Sequence, residues 1–268
     1  MELGTSGFVS PYGMTDGRLG IFHEQVFGFV YEQRTRDLSA RALNDEVAKR
    51  VQKIVDDEDR RVGGRERKEI RDNVLNELLP RALVSSSNTR GWIDLAGGWV
   101  VLDTRTRRRA EEVMSQLRDA FGSFPAVRLA PEESPRVLMT HWLATGDLPE
   151  GFALGDECEL RDPATAAGAL VRCRRQDLDT EEIREHLRVG KQCFATGLVV
   201  DNRLALVLGE DLSMRMVRPT DVVTEQSLIE HESAEAELEG QFALAVLEVR
   251  RLLTRIEHIF RIPRPEVD

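Results

Sequence analysis

ALVRCRRQDLDTEEIREHLRVGK, residues 169–191, places a strand and a helix in direct succession. Strand alternation puts Val171 and Cys173 on one face and Arg172 and Arg174 on the other. Arg175 and Gln176 break that alternation, because polar residues then fall on both faces. The pattern predicts a strand that leaves its sheet here and projects into solvent as a basic finger. Asp179 is placed to cap the following helix, with Glu182 three residues later closing a capping box. Gly190 suits the C-terminal stop. In a chain of net charge −10, arginines gathered at the tip of one element require a reason.

Outward from this stretch the same rhythm continues. Residues 191–200, a turn at Asp201-Asn202, residues 203–208 and residues 213–217 read as an antiparallel meander. A last long helix over residues 234–260 shows Leu238, Phe242, Ala245, Val249, Leu252, Leu253 and Ile256 at helical spacing. Upstream, residues 152–160 are extended, and residues 162–168 form a small-residue linker. Pro131 and Pro135 mark a connection before a short helix over residues 137–144 that carries His141 and Trp142.

The first half opens, through Gly20, as loops and short extended pieces. Residues 25–32 read as a strand. Leu43, Val47, Val51, Ile54 and Val55 mark a helix over residues 40–60. Ile70, Val74, Leu75, Leu78 and Leu79 mark a second, from about Glu66 to Pro80. Residues 85–88 read as a loop. Residues 91–95 and 99–103 form a hairpin around Ala96-Gly97-Gly98. A helix follows over residues 106–121, then a short strand over residues 126–129. The expected class is α+β, with mixed antiparallel sheets and long helices. Three regions are expected: residues 1–130, a central or base region with a helical arm at about 40–80; residues 131–223, a finger or tip region; and residues 224–268, the C-terminal helix.

Composition bounds the function. Apolar residues make up 41% and charged residues 31%, as in an ordinary globular protein. No run approaches a membrane span, and residues 1–5 lack the basic start and apolar stretch of a secretory signal. Cys158, Cys173 and Cys193, odd in number and far apart in sequence, suit reduced thiols in a cytoplasm. Charge is uneven: residues 34–118 hold 19 Lys/Arg against 15 Asp/Glu, whereas residues 208–248 hold 2 against 10. One surface that tolerates an anionic partner and another that repels it would give this pattern. So would charged helices that simply turn charged faces to water.

Catalytic signatures are missing. There is no phosphate-binding Gly-x4-Gly-Lys-Ser/Thr and no Gly-x-Ser-x-Gly elbow. His231-Glu232-Ser233-Ala234-Glu235 approaches a zinc-protease helix, but a glutamate stands where the second histidine is needed. Asp94 and Asp103, on opposite arms of the hairpin, admit a nuclease-type hard cation. The plainer reading gives Asp94 to the turn and Asp103 to the strand end. No cofactor is implied.

Binding chemistry is present. Arg105, Arg107, Arg108 and Arg109 crowd a helix start, where the macrodipole disfavours cations. They are either phosphate contacts reinforced by backbone N–H groups or a solvated basic loop. Arg172, Arg174, Arg175 and Gln176 form the second basic point. With aromatics at only 6%, stacking platforms for single strands are poor, and backbone-tracking of a duplex fits better.

Three segments in order, VLNELLPRA (residues 74–82), Trp92-Ile93-Asp94, and Arg175-Gln176-Asp177-Leu178 ahead of Glu181-Glu182-Ile183, resemble the bacterial recombination-associated protein RdgC family. The resemblance runs from about Gly7 to Val223 and more weakly into the last helix. It implies a horseshoe-shaped protomer and a ring-shaped homodimer that encircles duplex DNA without sequence preference. It also implies a non-enzymatic, cytoplasmic, nucleoid-associated protein that restrains the RecA recombinase by competing for DNA, with no membrane partner. A Lys-Gln pair on the family's finger falls on Arg175-Gln176, with charge retained. A hydrophobic residue that supports contact between protomers falls on Leu83. Family members usually begin with a further strand-helix unit, so the expectation is either a compact or phage-like member, with an exposed sheet edge where that unit would sit, or a natural start other than Met1. Two other readings stay open: a recombination-related interaction module without DNA binding, and a metal-dependent nuclease using Asp94 and Asp103.

Overall fold

A computed structural model describes residues 4–13, 16–164, 168–227 and 232–265. It is an α+β protein with two antiparallel sheets, one in each of two compact units, Met1–Phe124 and Pro125–Asp268.

The first unit is organised by two long strands, β3 (Val26–Asp37) and β4 (Leu83–Asp94), numbered with β1 (Gly4–Val9) and β2 (Ile21–His23) before them. They pair from Val26↔Asp94 to Asp37↔Leu83. With β5 (Trp99–Leu102), the sheet order is β1-β3-β4-β5, and β2 also pairs with β3. The strands are apolar at the end that pairs with β5: Phe29, Tyr31 and Ile93 bury against Val113 and Leu117 of helix α3 (Arg107–Phe121). Gly91 lets the backbones close there, since a Cβ would meet Val101 O, Leu102 Cδ2 and Phe29 Cζ, each at 2.8 Å.

The far ends of β3 and β4 are joined through helices α1 (Ala40–Glu58) and α2 (Gly64–Leu78) and one 3₁₀ turn, Leu79–Arg81. The two helices share a small core of Leu43, Val47 and Val74, flanked by Val51, Ile70, Leu75 and Leu78. Ser39 Oγ caps α1 by accepting the Ala42 N–H. At the turn between the helices Arg60 binds both Glu58 and Glu66.

Residues 85–88 are not a loop. Ser85, Ser86, Ser87 and Asn88 are strand, paired with Thr35, Arg34, Gln33 and Glu32. Serine has low strand propensity, but a twelve-residue partner ladder satisfies its backbone and overrides the local preference. The opening is likewise more ordered than composition suggests, because residues 4–9 pair with β3 as β1. Residues 126–129, expected as a strand, have no ladder partner and are irregular.

The second unit is a sheet of order β10-β9-β8-β6-β7: β6 (Phe152–Arg161), β7 (Leu170–Arg174), β8 (Gln192–Val200), β9 (Leu204–Gly209) and β10 (Met214–Pro219). Asp201 and Asn202 both adopt left-handed φ, +51° and +52°, as a tight primed hairpin turn requires. One face of the sheet carries the core. Leu160, Leu198, Leu206 and Leu208 pack with Met139 and Trp142 of helix α4 (Pro135–Thr145) and with Leu252, Ile256 and Phe260 of the last helix. Helix α5 (Glu181–Arg188) contributes Ile183. A short helix α6 (Asp221–Ser227) precedes the last, α7 (Ala234–Phe260), whose Ser233 Oγ accepts the Ala236 N–H. Glu248 of α7 is 4% exposed and meets Arg203 in two hydrogen bonds, 2.7 and 2.8 Å, with Arg251 at 3.0 Å.

All three cysteines are buried, and the fold brings two together: Cys158 and Cys173 face each other across β6 and β7. Burial, with Cys173 opposite, pushes the Cys158 thiol up to about 12, which suits core packing and not nucleophilic chemistry. Among the described residues, no helix is long and apolar enough to cross a membrane.

Candidate nucleic-acid interface

Two basic clusters lie in separate units and are described separately. In the second unit, the alternation expected for β7 holds: Cys173 is buried, and Arg172 and Arg174 are exposed on the opposite face. The strand does not run on as a finger. It ends at Arg174, opposite Glu157; Arg175 takes a left-handed φ of +56°, and the Gln176 N–H donates to Asp156 O at 3.3 Å. The chain thus folds back on its own sheet, because the bulge in β6 between Leu154 and Cys158 offers Asp156 O as an acceptor.

The next helix is capped differently from expectation. Its N-cap is Thr180, without a side-chain cap bond. Asp179 binds Arg184 instead, and Glu182 closes no capping box. Gly190, with φ +94°, does end the helix region, its N–H donating to Leu187 O.

The arginines of the tip are not equivalent. Arg172 Nε donates to Glu159 Oε2 at 2.9 Å, and Glu159 is shared with Arg161. The guanidinium groups of Arg174 and Arg175 bind no described residue. Arg175 and Gln176 border a groove of about 570 Å³ on the sheet face opposite the core. Its floor is Gly155, Gly197, Val199, Ala205 and Val207; Asp156, Glu157 and Asp177 line the β6–β7 side. Gly155 is obligatory, because a Cβ there would sit 2.9 Å from the Gly197 carbonyl carbon.

The far wall of this groove holds Met216 and Arg218 of β10, from the acidic stretch of residues 208–248. The only two Lys/Arg of residues 208–248 are Arg215 and Arg218, and both belong to β10. They pair with Val207 and Ala205, whose side chains form the floor, so both arginines share the groove face. A bulge between Arg215 and Arg218, with Met216 at φ +52°, produces that placement. Simple alternation would have set Arg215 and Arg218 on opposite faces. Two arginines three apart in a short strand were the available signal.

In the first unit, Arg107, Arg108 and Arg109 occupy the first turn of α3 behind the cap Thr106, whose Oγ1 accepts the Arg109 N–H at 3.3 Å. Arg105, Arg108 and Arg109 border a second groove, of about 580 Å³, with Asn88, Thr89, Thr104 and Asp103. Arg105 and Arg108 bind no described residue, whereas Arg107 pairs with Glu111 at 3.0 Å.

Arg109 is withdrawn as a phosphate contact. Its guanidinium donates to Thr89 Oγ1 at 2.8 Å, Gln33 Oε1 at 2.7 Å, Glu112 Oε2 at 3.3 Å and Ser87 O at 3.2 Å, and lies 4.9 Å from the Tyr31 ring centroid. Those contacts tie α3 to β3 and β4. Arg109→Ala is therefore expected to cost about 2 kcal/mol of stability in urea unfolding while sparing the exposed arginines beside it.

Asp94 is 3% exposed, and its Oδ1 accepts the Gly97 N–H at 2.7 Å, the turn role. Asp103 borders the α3 groove. No metal-holding group of three or more His, Cys, Asp or Glu occurs among the described residues. His231, of the residues 231–235 motif, lies outside the described residues. Leu83 begins β4 with 81% of its surface exposed, next to Val84 at 55%.

Comparison with known proteins bears on the whole chain. A family model described as "Putative exonuclease, RdgC" matches residues 1–262. The recombination-associated protein RdgC of Xanthomonas campestris pv. campestris is 39% identical over 271 residues, covering 99% of this chain and 88% of that protein. The protein of the same name from Xanthomonas oryzae pv. oryzae is 38% identical over 270 residues, covering 99% and 89%. That from Stenotrophomonas maltophilia is 38% identical over 271 residues, with the same coverage.

Proposed function

The chain belongs to the RdgC family of recombination-associated proteins, and from that premise we propose that it binds duplex DNA without sequence preference, as a homodimer that closes a ring and limits RecA access to DNA. The observation that carries this reading is the set of exposed guanidinium groups without partners among the described residues, Arg174 and Arg175 at the end of β7 and Arg105 and Arg108 at the start of α3. In a chain of net charge −10, cations without partners among the described residues, three of them bordering grooves, are available to an external anion. Gln176, beside Arg175, adds a neutral hydrogen-bonding group. Leu83 and Val84, adjacent and exposed on β4, support the contact between protomers. The protein works in the cytoplasm, on the nucleoid.

The role is positional and not catalytic. The nuclease reading needs carboxylates free to hold a cation, and Asp94 is buried and bonded within its turn. Retention comes from ring closure, so each contact can be modest.

Electrophoretic shifts of a labelled duplex across a salt series test this reading. Four phosphate contacts per protomer, eight in the homodimer, give a slope of about −7 in log affinity against log salt, hence roughly a 10⁴-fold loss between about 50 and 200 mM. Different duplex sequences should give one curve. No duplex binding at about 50 mM salt sinks the DNA reading, and magnesium-dependent degradation of the probe would restore the nuclease.

A further inference from the structure

We infer that Arg218 of β10 is the principal phosphate-binding cation of the second unit's groove, and that a phosphodiester backbone lies along the β8–β9 floor between Arg218 and the Arg175–Gln176 wall. The inference rests on the DNA-binding reading and adds a contact surface to it.

Three observations on different strands converge on this groove. First, it lies on the sheet face that no core helix covers, and its floor contains glycine and small apolar residues. A floor without charge or bulk lets a backbone approach the sheet. Second, the walls are built by irregular backbone on both sides: bulges interrupt β6 and β10, and Arg175 and Met216 are non-glycine residues at positive φ. Bulges re-aim side chains, and strained residues persist where the surroundings enforce them. Here one bulge turns Arg218 onto the groove side and the other lets the Arg175 turn close against Asp156.

Third, the charges on the two walls differ. Arg175 shares its wall with Asp156, Glu157 and Asp177, three carboxylates that offset its attraction for an anion. Arg218 binds no described residue, and no carboxylate lines the wall it shares with Met216. Arg218 therefore keeps more of its field for a ligand. The walls stand four strand spacings apart, at most about 19 Å along the sheet, and a twisted or curled sheet shortens that span. Both reach into the same groove, so one bound backbone can be contacted from each side.

The test compares Arg218→Ala, Arg218→Lys and Arg175→Ala with the unaltered full-length chain, by fluorescence anisotropy on one labelled duplex at several salt concentrations. Arg218 is exposed and outside the core, so the variants should match the unaltered chain in thermal melting. Arg218→Ala is expected to weaken duplex binding about 10-fold at low salt, at least as much as Arg175→Ala. It should also reduce the salt slope by about 1.8, one phosphate contact from each protomer. Arg218→Lys should retain most of the slope, since a point charge still neutralises a phosphate. Unchanged affinity and slope in Arg218→Ala, with Arg175→Ala weakened, overturns the β10 assignment and leaves DNA binding standing. Absence of duplex binding by the unaltered chain overturns both.

Discussion

Reversing Arg174 and Arg175 together (R174E/R175E) is expected to lower duplex affinity by roughly 100-fold at low salt, with little change in stability. Both guanidinium groups are without partners among the described residues, so no internal bond is lost. The substitution moves local charge by four, beside Asp156, Glu157 and Asp177, and turns an attractive rim into a repulsive one. A charge-assisted hydrogen bond is worth about 1.5 to 3 kcal/mol, and two of them correspond to at least a 100-fold change. Anisotropy titration of a labelled duplex measures it. Wild-type affinity in the double variant would remove the tip from the DNA-binding surface. Arg172→Glu should have a smaller effect, because Arg172 is already bound to Glu159.

The largest loss of stability is expected at Glu248. Glu248→Ala leaves Arg203, which is 22% exposed, without its two-bonded partner, and Arg251 loses the same carboxylate. Breaking a buried pair from one side costs about 3 to 5 kcal/mol when both charges are fully buried. Because Arg203 retains some contact with water, about 3 kcal/mol is expected. The same pair sets an acid limit. The Arg203 hydrogen bonds, with Arg251 nearby, hold Glu248 below its ordinary value of 4.5. A depressed carboxylate binds fewer protons in the folded state, so its contribution is fully present above about 4.5. It is lost as pH falls through the lower folded value. Urea unfolding at pH 7 and at acid pH should show the variant losing its difference from wild type as the pH falls. Equal midpoints at pH 7 would show the pair to be dispensable.

Much of the second unit was legible from residue pattern. The meander, the turn at Asp201-Asn202 and the helix α7, Ala234–Phe260, emerge from period 2 and period 3.6 hydrophobicity, which local geometry imposes. The hairpin of β4 and β5 was legible for the same reason, with Gly97 at its turn. Ser85, Ser86, Ser87 and Asn88 were not, because their strand state comes from β3, some fifty residues away in the chain. Nor was the cap of α5, where Arg184 takes Asp179 and leaves Thr180 at the boundary.

The candidate site divides along the same line. The exposure of Arg172 and Arg174 opposite buried Cys173 follows from alternation alone, as does the crowding of Arg107, Arg108 and Arg109 at the start of α3. Family membership was also written in the sequence, in short motifs kept in one order. Tertiary structure alone decided which of these arginines are available. Arg109 is consumed by Thr89, Gln33, Glu112 and Ser87, while Arg105 and Arg108 are left open. Arg218 comes from an acidic segment to face the groove of Arg175. Sequence determines the charge and periodicity of each element because both are local properties. Whether a cation is spent inside the protein or offered outside depends on which distant acceptors and bulges the fold brings to it.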